Sequence, residues 1–267
     1  MKKILSLSIA FMLCLSFAGC GQKQETNTNE TATQAADKSG KVYKIATDTA
    51  FPPFEIPDAG GDSEKITGID IDILKEIAKD QGFDYELEVL GFDASVVALE
   101  ANQVDGVIAG MSITDKRKQS YDFSEPYYDS GVVMAIAANN NDVKSYADLA
   151  GKHVAAKRGT EGADFAEKLK AEHGFELTLF DDSPTMYMDV TSGNSVACFE
   201  DYPVMGYGIA QGNGLKMVTD KEQGSSYGFA VLKGKNPELL EMFDKGLENI
   251  KANGKYQEIL DKYISKD

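Results

Sequence analysis

Tryptophan is absent from this 267-residue chain, and cysteine, histidine and proline are scarce at three, two and seven residues. With so few thiols a disulfide framework is excluded, and a secreted fold built from this sequence must stand on its hydrophobic core. His153 and His173 sit in no partner motif, which argues against histidine-based metal or nucleophile chemistry. No glycine-rich phosphate loop follows the first strand, and no nucleophile motif occurs. We therefore expect no catalytic residue, no cofactor and no metal. Basic side chains are also in short supply. Lysine and arginine number 27 against 43 acids, a formal net charge of −16. That balance repels phosphate backbones and excludes nucleic acid as a partner.

What the chain does have begins at its N-terminus. Lys2 and Lys3 precede an apolar run, Ile4 to Phe17, interrupted only by small serines. The run is too short to be a comfortable bilayer span and ends in the small residues Ala18-Gly19-Cys20, the pattern of a secretory signal. Cysteine directly after Ala-Gly resembles a bacterial lipobox, although Phe17 stands where leucine is usual. The resemblance implies cleavage after residue 19 and lipidation of Cys20, whose acyl chains would anchor the protein at the outer face of the cytoplasmic membrane. Removing residues 1–19 takes away Lys2 and Lys3 and no acid, leaving 25 basic against 43 acidic groups and a net charge of −18. Residues 20–40, rich in Thr, Asn, Gln and Glu, cannot bury enough surface to order themselves and read as a flexible tether.

From Lys41 short apolar strands alternate with helical patterns. Val42–Thr47, Phe83–Leu90 and Val104–Ala109 read as strands, Ile69, Ile73 and Ile77 as one helix face, and Asp93 as the cap of the next helix. A second series follows Gly131: strands at Val132–Ala138 and His153–Lys157, a helix from Glu161 to His173, then strands at Phe175–Phe180 and Ser195–Phe199. Tyr227–Leu232 reads as a strand, and Asn236-Pro237 opens a helix with apolar Leu240, Phe243, Leu247 and Ile250. Met186, Tyr187 and Met188 read as a helix face, Cys198 as a core thiol, and Asp70 with Asp72 as helix-start charges. The alternation predicts an α/β fold with covered sheets. Two such blocks of about 90 residues each, with a returning C-terminal segment, suggest two lobes. The expected division is 41–128 plus 226–267 for lobe 1 and 129–225 for lobe 2. The crossings fall near Tyr128–Gly131 and Gly224–Tyr227.

Within this frame lie Ala46-Thr-Asp-Thr-Ala-Phe-Pro-Pro-Phe-Glu55, Gly68-Ile-Asp-Ile-Asp-Ile73, Gly110-Met-Ser-Ile-Thr-Asp-Lys-Arg117 with Asp122-Phe-Ser124, Lys157-Arg-Gly-Thr160 and Glu200-Asp-Tyr-Pro203. In that order they resemble the family 3 solute-binding proteins of amino-acid ABC transporters, most closely the glutamine-binding ones, over Lys41 to Ile264. The resemblance implies a type II periplasmic-binding-protein fold with a ligand cleft between lobes joined by two hinge strands. It also implies a monomer that delivers a polar amino acid to the transmembrane subunits of an ABC permease.

The chemistry of such a ligand is severe. A free amino acid is a zwitterion, and stripping water from both charges costs several kcal/mol per ion unless each meets an opposite charge. Arg117 offers a planar fork for the carboxylate. By residue type alone it reads as a surface arginine of the run Lys116-Arg117-Lys118, and the motif reverses that. Gly159-Thr160 precedes a helix start, where free N–H groups favour an anion; a plain helix cap fits as well, and both can hold. Asp201 follows a buried strand, placed either to meet the ammonium or to cap the next helix. The resemblance implies that Ser112 touches the ligand and that the Gly110 carbonyl accepts from the ammonium. It further implies that Asp48 and Lys157 handle a side-chain amide while Phe51 and Phe92 wall the aliphatic stem. Glu200 and Glu161 depart from the glutamine binders, which have a histidine and a small residue there. Extra acid favours a cationic ligand such as arginine or lysine, and Lys157 opposes it. Glutamine is the leading expectation. A sensory binding lobe and a dehydratase on the same fold are the other classes.

Overall fold

Residues 40–62 and 65–264 are described by the computed structural model. The leader, Cys20 and the tether up to residue 39 lie outside them. β-Branched and aromatic residues at alternate positions set the first strand, β1 (Val42–Thr47). The chain continues through α1 (Ile69–Gln81), β2 (Asp84–Val89), α2 (Phe92–Glu100), β3 (Gly106–Val107), β4 (Tyr121–Phe123), β5 (Tyr128–Ala137), β6 (His153–Lys157) and α3 (Glu161–His173). It then forms β7 (Glu176–Phe180), α4 (Ser183–Thr191), β8 (Ala197–Asp201), α5 (Tyr202–Ala210), β9 (Leu215–Met217), β10 (Glu222–Tyr227), β11 (Ala230–Leu232), α6 (Pro237–Ala252) and α7 (Lys255–Tyr263).

Two sheets result. The first runs β2-β1-β3-β11-β4, and the second runs β10-β5-β8-β6-β7 with β9 alongside β5. In the first sheet β1 is parallel to β2 and β3; in the second β6 is parallel to β7 and β8. Each sheet is covered on both faces. Ile69, Ile73 and Ile77 of α1 pack with Phe243, Leu247 and Ile250 of α6 on one side of the first sheet. Phe92, Ala98 and Leu99 of α2 pack on the other side. Around the second sheet, Ala163, Ala166 and Leu169 of α3 pack on one face, and Met186, Val190 and Met205 on the other. The architecture is the expected α/β fold of two lobes.

The chain leaves the first sheet after β4 and returns to it at β11. Its two linking strands, β5 and β10, pair antiparallel with Tyr128 opposite Tyr227. Here the structure differs from the expected single strand over Tyr227–Leu232. Tyr227 closes β10 in the second sheet, whereas Ala230 faces Val107 and Phe123 in the first. Apolar periodicity cannot register a change of sheet when both halves are buried. The strand expected over Val104–Ala109 shrinks to Gly106–Val107, paired with Ile45 and Ala46 of β1. The strand expected at Ser195–Phe199 sits two residues further on, at Ala197–Asp201. Asp93 does not cap α2: Gly91 is its N-cap and Asp93 lies in its first turn. Among the described residues no helix is long and apolar enough to cross a membrane.

Candidate functional site

Loops leaving the C-terminal ends of β1, β3, β6 and β8 converge, the place where open α/β sheets hold ligands. They enclose a small cavity of about 10 Å³ lined by Asp48, Phe51, Phe92, Ala109, Gly110, Ser112, Arg117, Lys157, Thr160, Glu161 and Asp201. That is about the room one water molecule needs. Every sequence candidate except Glu200 is in this wall. Gly110 is there of necessity. Its φ is +54°, and an added Cβ would lie 2.5 Å from the Phe51 ring. A wider cleft of about 810 Å³ is lined by Tyr128, Tyr202, Tyr207 and Tyr256 and contains none of the candidates.

Charge in the cavity falls into two groups. At one end the Lys157 ammonium donates to Asp48 Oδ2, with both side chains out of water. Lys157 Nζ also lies 4.7 Å from the centre of the Phe51 ring and 6.0 Å from that of Phe92. A cation is thus held between two aromatic faces and a carboxylate. Asp48 Oδ1 accepts from the Thr49 amide at 2.7 Å, which fixes the carboxylate plane.

At the other end, the Arg117 guanidinium donates to the Ser112 carbonyl at 2.9 Å and to the Gly159 carbonyl at 3.0 Å, bridging loops from the two lobes. Its carbon lies 5.3 Å from the Phe92 ring centre. Burial pulls its pKa down, and Asp201, Glu161 and Asp164 oppose that. Asp201 Oδ2 accepts from the Tyr227 hydroxyl at 2.6 Å. Although Asp201 is the N-cap residue of α5, its side chain makes no capping bond there. Burial, reinforced by Glu200, pushes its carboxyl up to about 8, against the pull of Tyr227 and Arg117. Thr160 is a working cap: its hydroxyl accepts from the Ala163 amide at 3.2 Å and donates to the Lys157 carbonyl at 2.7 Å. Glu161, in the first turn of α3, keeps its buried Oε2 without a partner.

Glu200 is placed behind the wall. Its Oε2 accepts from Ser183 Oγ at 2.7 Å and from the Tyr187 hydroxyl at 2.9 Å, and its Oε1 accepts from the Asp201 amide at 2.9 Å. Burial raises its pKa, while Lys157 lowers it. These partners turn Glu200 towards α4, so it acts on the cavity through Asp201 and Lys157.

Three residues that sequence reasoning missed stand directly behind the wall. Tyr227 orients Asp201. Asp70, read from the sequence as a helix-start charge, is fully buried; it accepts from the Gly110 amide and from the Tyr127 hydroxyl, each at 2.7 Å. Glu55, also fully buried, accepts from Thr47 Oγ1 at 3.0 Å. A signal for Asp70 was present: along α1 it shares a face with Leu74 and Ala78, both core residues. Asp72 behaves as expected of a surface acid, bonded to Lys262 and Tyr263. Cys198 is a free buried thiol, pushed up by burial.

Comparison with known proteins gives a consistent picture. An L-arginine-binding protein of Pseudomonas aeruginosa is 32% identical over 245 residues, covering 88% of this chain and 91% of that protein. The second substrate-binding domain of GlnP from Lactococcus lactis, solved in an open conformation, is 42% identical. Its TM-score is 0.58, with 85% of this chain and 96% of that one covered. An ancestral arginine-binding protein bound to arginine is 35% identical with a TM-score of 0.77, covering 84% and 98%. The profile of the bacterial extracellular solute-binding proteins, family 3, matches residues 43–266, and the chain belongs to that family.

Proposed function

We propose that this protein captures a free polar amino acid, glutamine first, by closing its two lobes, and hands it to the transmembrane subunits of an ABC permease. In this reading Arg117 and the start of α3 receive the α-carboxylate, and Asp201 with Glu161 faces the ammonium. Ser112 and the Gly110 carbonyl complete the α end. The division into 41–128 plus 226–267 and 129–225, with anchoring through Cys20 at the outer face of the cytoplasmic membrane, belongs to the same proposal. The lobe arrangement supports it. The chain superposes better on the arginine-bound structure than on the open GlnP domain, although the latter is closer in sequence.

The observation that carries glutamine is the Lys157–Asp48 pair at the side-chain end. A terminal amide accepts from the ammonium through its oxygen and donates to the carboxylate through its nitrogen, satisfying both. A guanidinium or ammonium arriving there meets Lys157 instead. An arginine-binding relative makes arginine the second reading. Calorimetric titration of the protein with L-glutamine, L-arginine, L-lysine and L-histidine decides between them. Glutamine should bind tightest, and tighter arginine binding would replace the first reading with the second.

A further inference from the structure

Beneath the cavity the structure holds two carboxyl groups where one would be costly. Glu55, in the loop after β1, and Asp70, in the first turn of α1, are both at 0% exposure. The Asp70 amide donates to the Phe54 carbonyl at 3.3 Å, which brings the two segments together, and each carboxyl acts on the other. Each retains one oxygen with no partner and no access to water, Glu55 Oε2 and Asp70 Oδ1. An ionised carboxylate only accepts, so two of them have no proton to form a bond between them. Two like charges in a dry site cannot both be sustained.

We propose that Glu55 and Asp70 share a single proton, and that the resulting carboxyl–carboxylate pair is the positioning element of the cavity wall, holding the Gly110 amide. The protonated partner donates to the ionised one across the two oxygens that otherwise lack a partner. The remaining oxygens are already committed. Asp70 Oδ2 takes the Gly110 amide and the Tyr127 hydroxyl, and Glu55 Oε1 takes Thr47 Oγ1. Gly110 is thereby tied to the scaffold at its N–H while its positive φ turns the next peptide along the cavity.

The surroundings favour one proton over none. Burial first, then Asp70 and Asp48, raises Glu55 well above the usual carboxylate range. Burial holds Asp70 up to about 6, opposed by its hydrogen bonds from Glu55, Gly110 and Tyr127. The charged and titratable groups facing the pair are Asp48 in the loop after β1, Tyr127 just before β5 and Tyr256 of α7. Lys157 of β6 is engaged by Asp48. The titration belongs to the pair and not to either residue alone.

Infrared spectra and thermal unfolding test this without any ligand, so the outcome is independent of the amino-acid reading. Both are run in an Asp201→Asn, Glu200→Gln background, which removes the two other raised carboxyls at the cavity. Near pH 7 the folded protein should show the carbonyl stretch of a protonated carboxylic acid, and Glu55→Gln should abolish it. The parent should lose melting temperature as pH rises from about 4, where Asp and Glu titrate when unfolded, until the shared proton is lost, since a carboxyl raised on folding stabilises below its folded pKa and not above it. Glu55→Gln, whose amide can donate to Asp70 at any pH, should flatten that slope. Asp70→Asn should do the same through donation to Glu55. An acid band that survives both substitutions, or equal slopes in parent and variants, would overturn the proposal. So would failure of both amides to fold, since each supplies the hydrogen bond that the proton supplies.

Discussion

Replacing Lys157 by methionine keeps most of the side-chain volume and removes the cation from the side-chain end of the cavity. Asp48, at 0% exposure, is then left as a buried charge without its partner. Breaking a buried pair in this way costs about 3–5 kcal/mol of stability. A glutamine amide loses a donor of the charged class, worth about 1.5–3 kcal/mol, which is roughly a tenfold to hundredfold loss of affinity. For arginine the change is opposite in sign. Two unit charges about 4 Å apart repel by about 4 kcal/mol at the effective dielectric of protein sites, so removing one lifts a penalty of up to about a thousandfold. The orphaned Asp48 adds attraction. Calorimetry on parent and Lys157→Met with L-glutamine and L-arginine reads both limbs, and thermal unfolding with each ligand reads the stability cost. Arginine should stabilise the variant more than it stabilises the parent. If glutamine affinity stays within a factor of three and arginine gains nothing, Lys157 does not face the ligand side chain and the reasoning fails.

Other consequences follow from the α end and the N-terminus. Arg117→Ala removes the only forked donor in the cavity wall and should weaken any amino acid by about 2–5 kcal/mol, whatever its side chain; equal loss across glutamine and arginine is the signature to look for in the same titrations. Asp201, held up to about 8, must ionise to meet an ammonium, so binding near pH 7 should release a proton and affinity should rise with pH up to about 8. Calorimetry in buffers of different ionisation heat counts that proton, and a count of zero would remove Asp201 from the ammonium site. The same raised carboxyl makes the ligand-free protein less stable as pH climbs from about 4, where Asp titrates when unfolded, through 8. Cys20→Ala should leave the protein soluble or as an uncut precursor, and its persistence with membranes after high-salt washing would refute lipid anchoring.

Local structure was legible where the chain carries its own punctuation. α3 runs over the expected residues because Thr160 caps it, Gly174 ends it in a left-handed conformation and its apolar face repeats in between. Long-range partnerships were legible only through the family motifs: Asp48 and Lys157 stand 109 residues apart, and no local pattern links them. Glu55 and Asp70 lie inside the quoted motifs, yet their pairing escaped notice because an acid at a helix start has an ordinary explanation in the dipole. Tyr227 was hidden for another reason. It occupies the last position of one sheet before the chain enters the other, and a continuous apolar run conceals that seam.

Charge count and charge position point to different ligands, and position decides. The wall holds Asp48, Glu161 and Asp201 against Lys157 and Arg117, an acidic surplus that by number alone would favour a cationic side chain. But the charge of Asp48 is already balanced by Lys157, so the surplus is not at the side-chain end. It sits with Glu161 and Asp201 beside Arg117, the group that the α-carboxylate would approach. Acid beside that fork faces the α-ammonium, which every amino acid carries. Coulomb energy falls with distance and with intervening solvent, so the nearest charges set the preference of each ligand group. On that ground the extra acid strengthens the grip on the common part of the ligand, and Lys157 retains the choice of side chain.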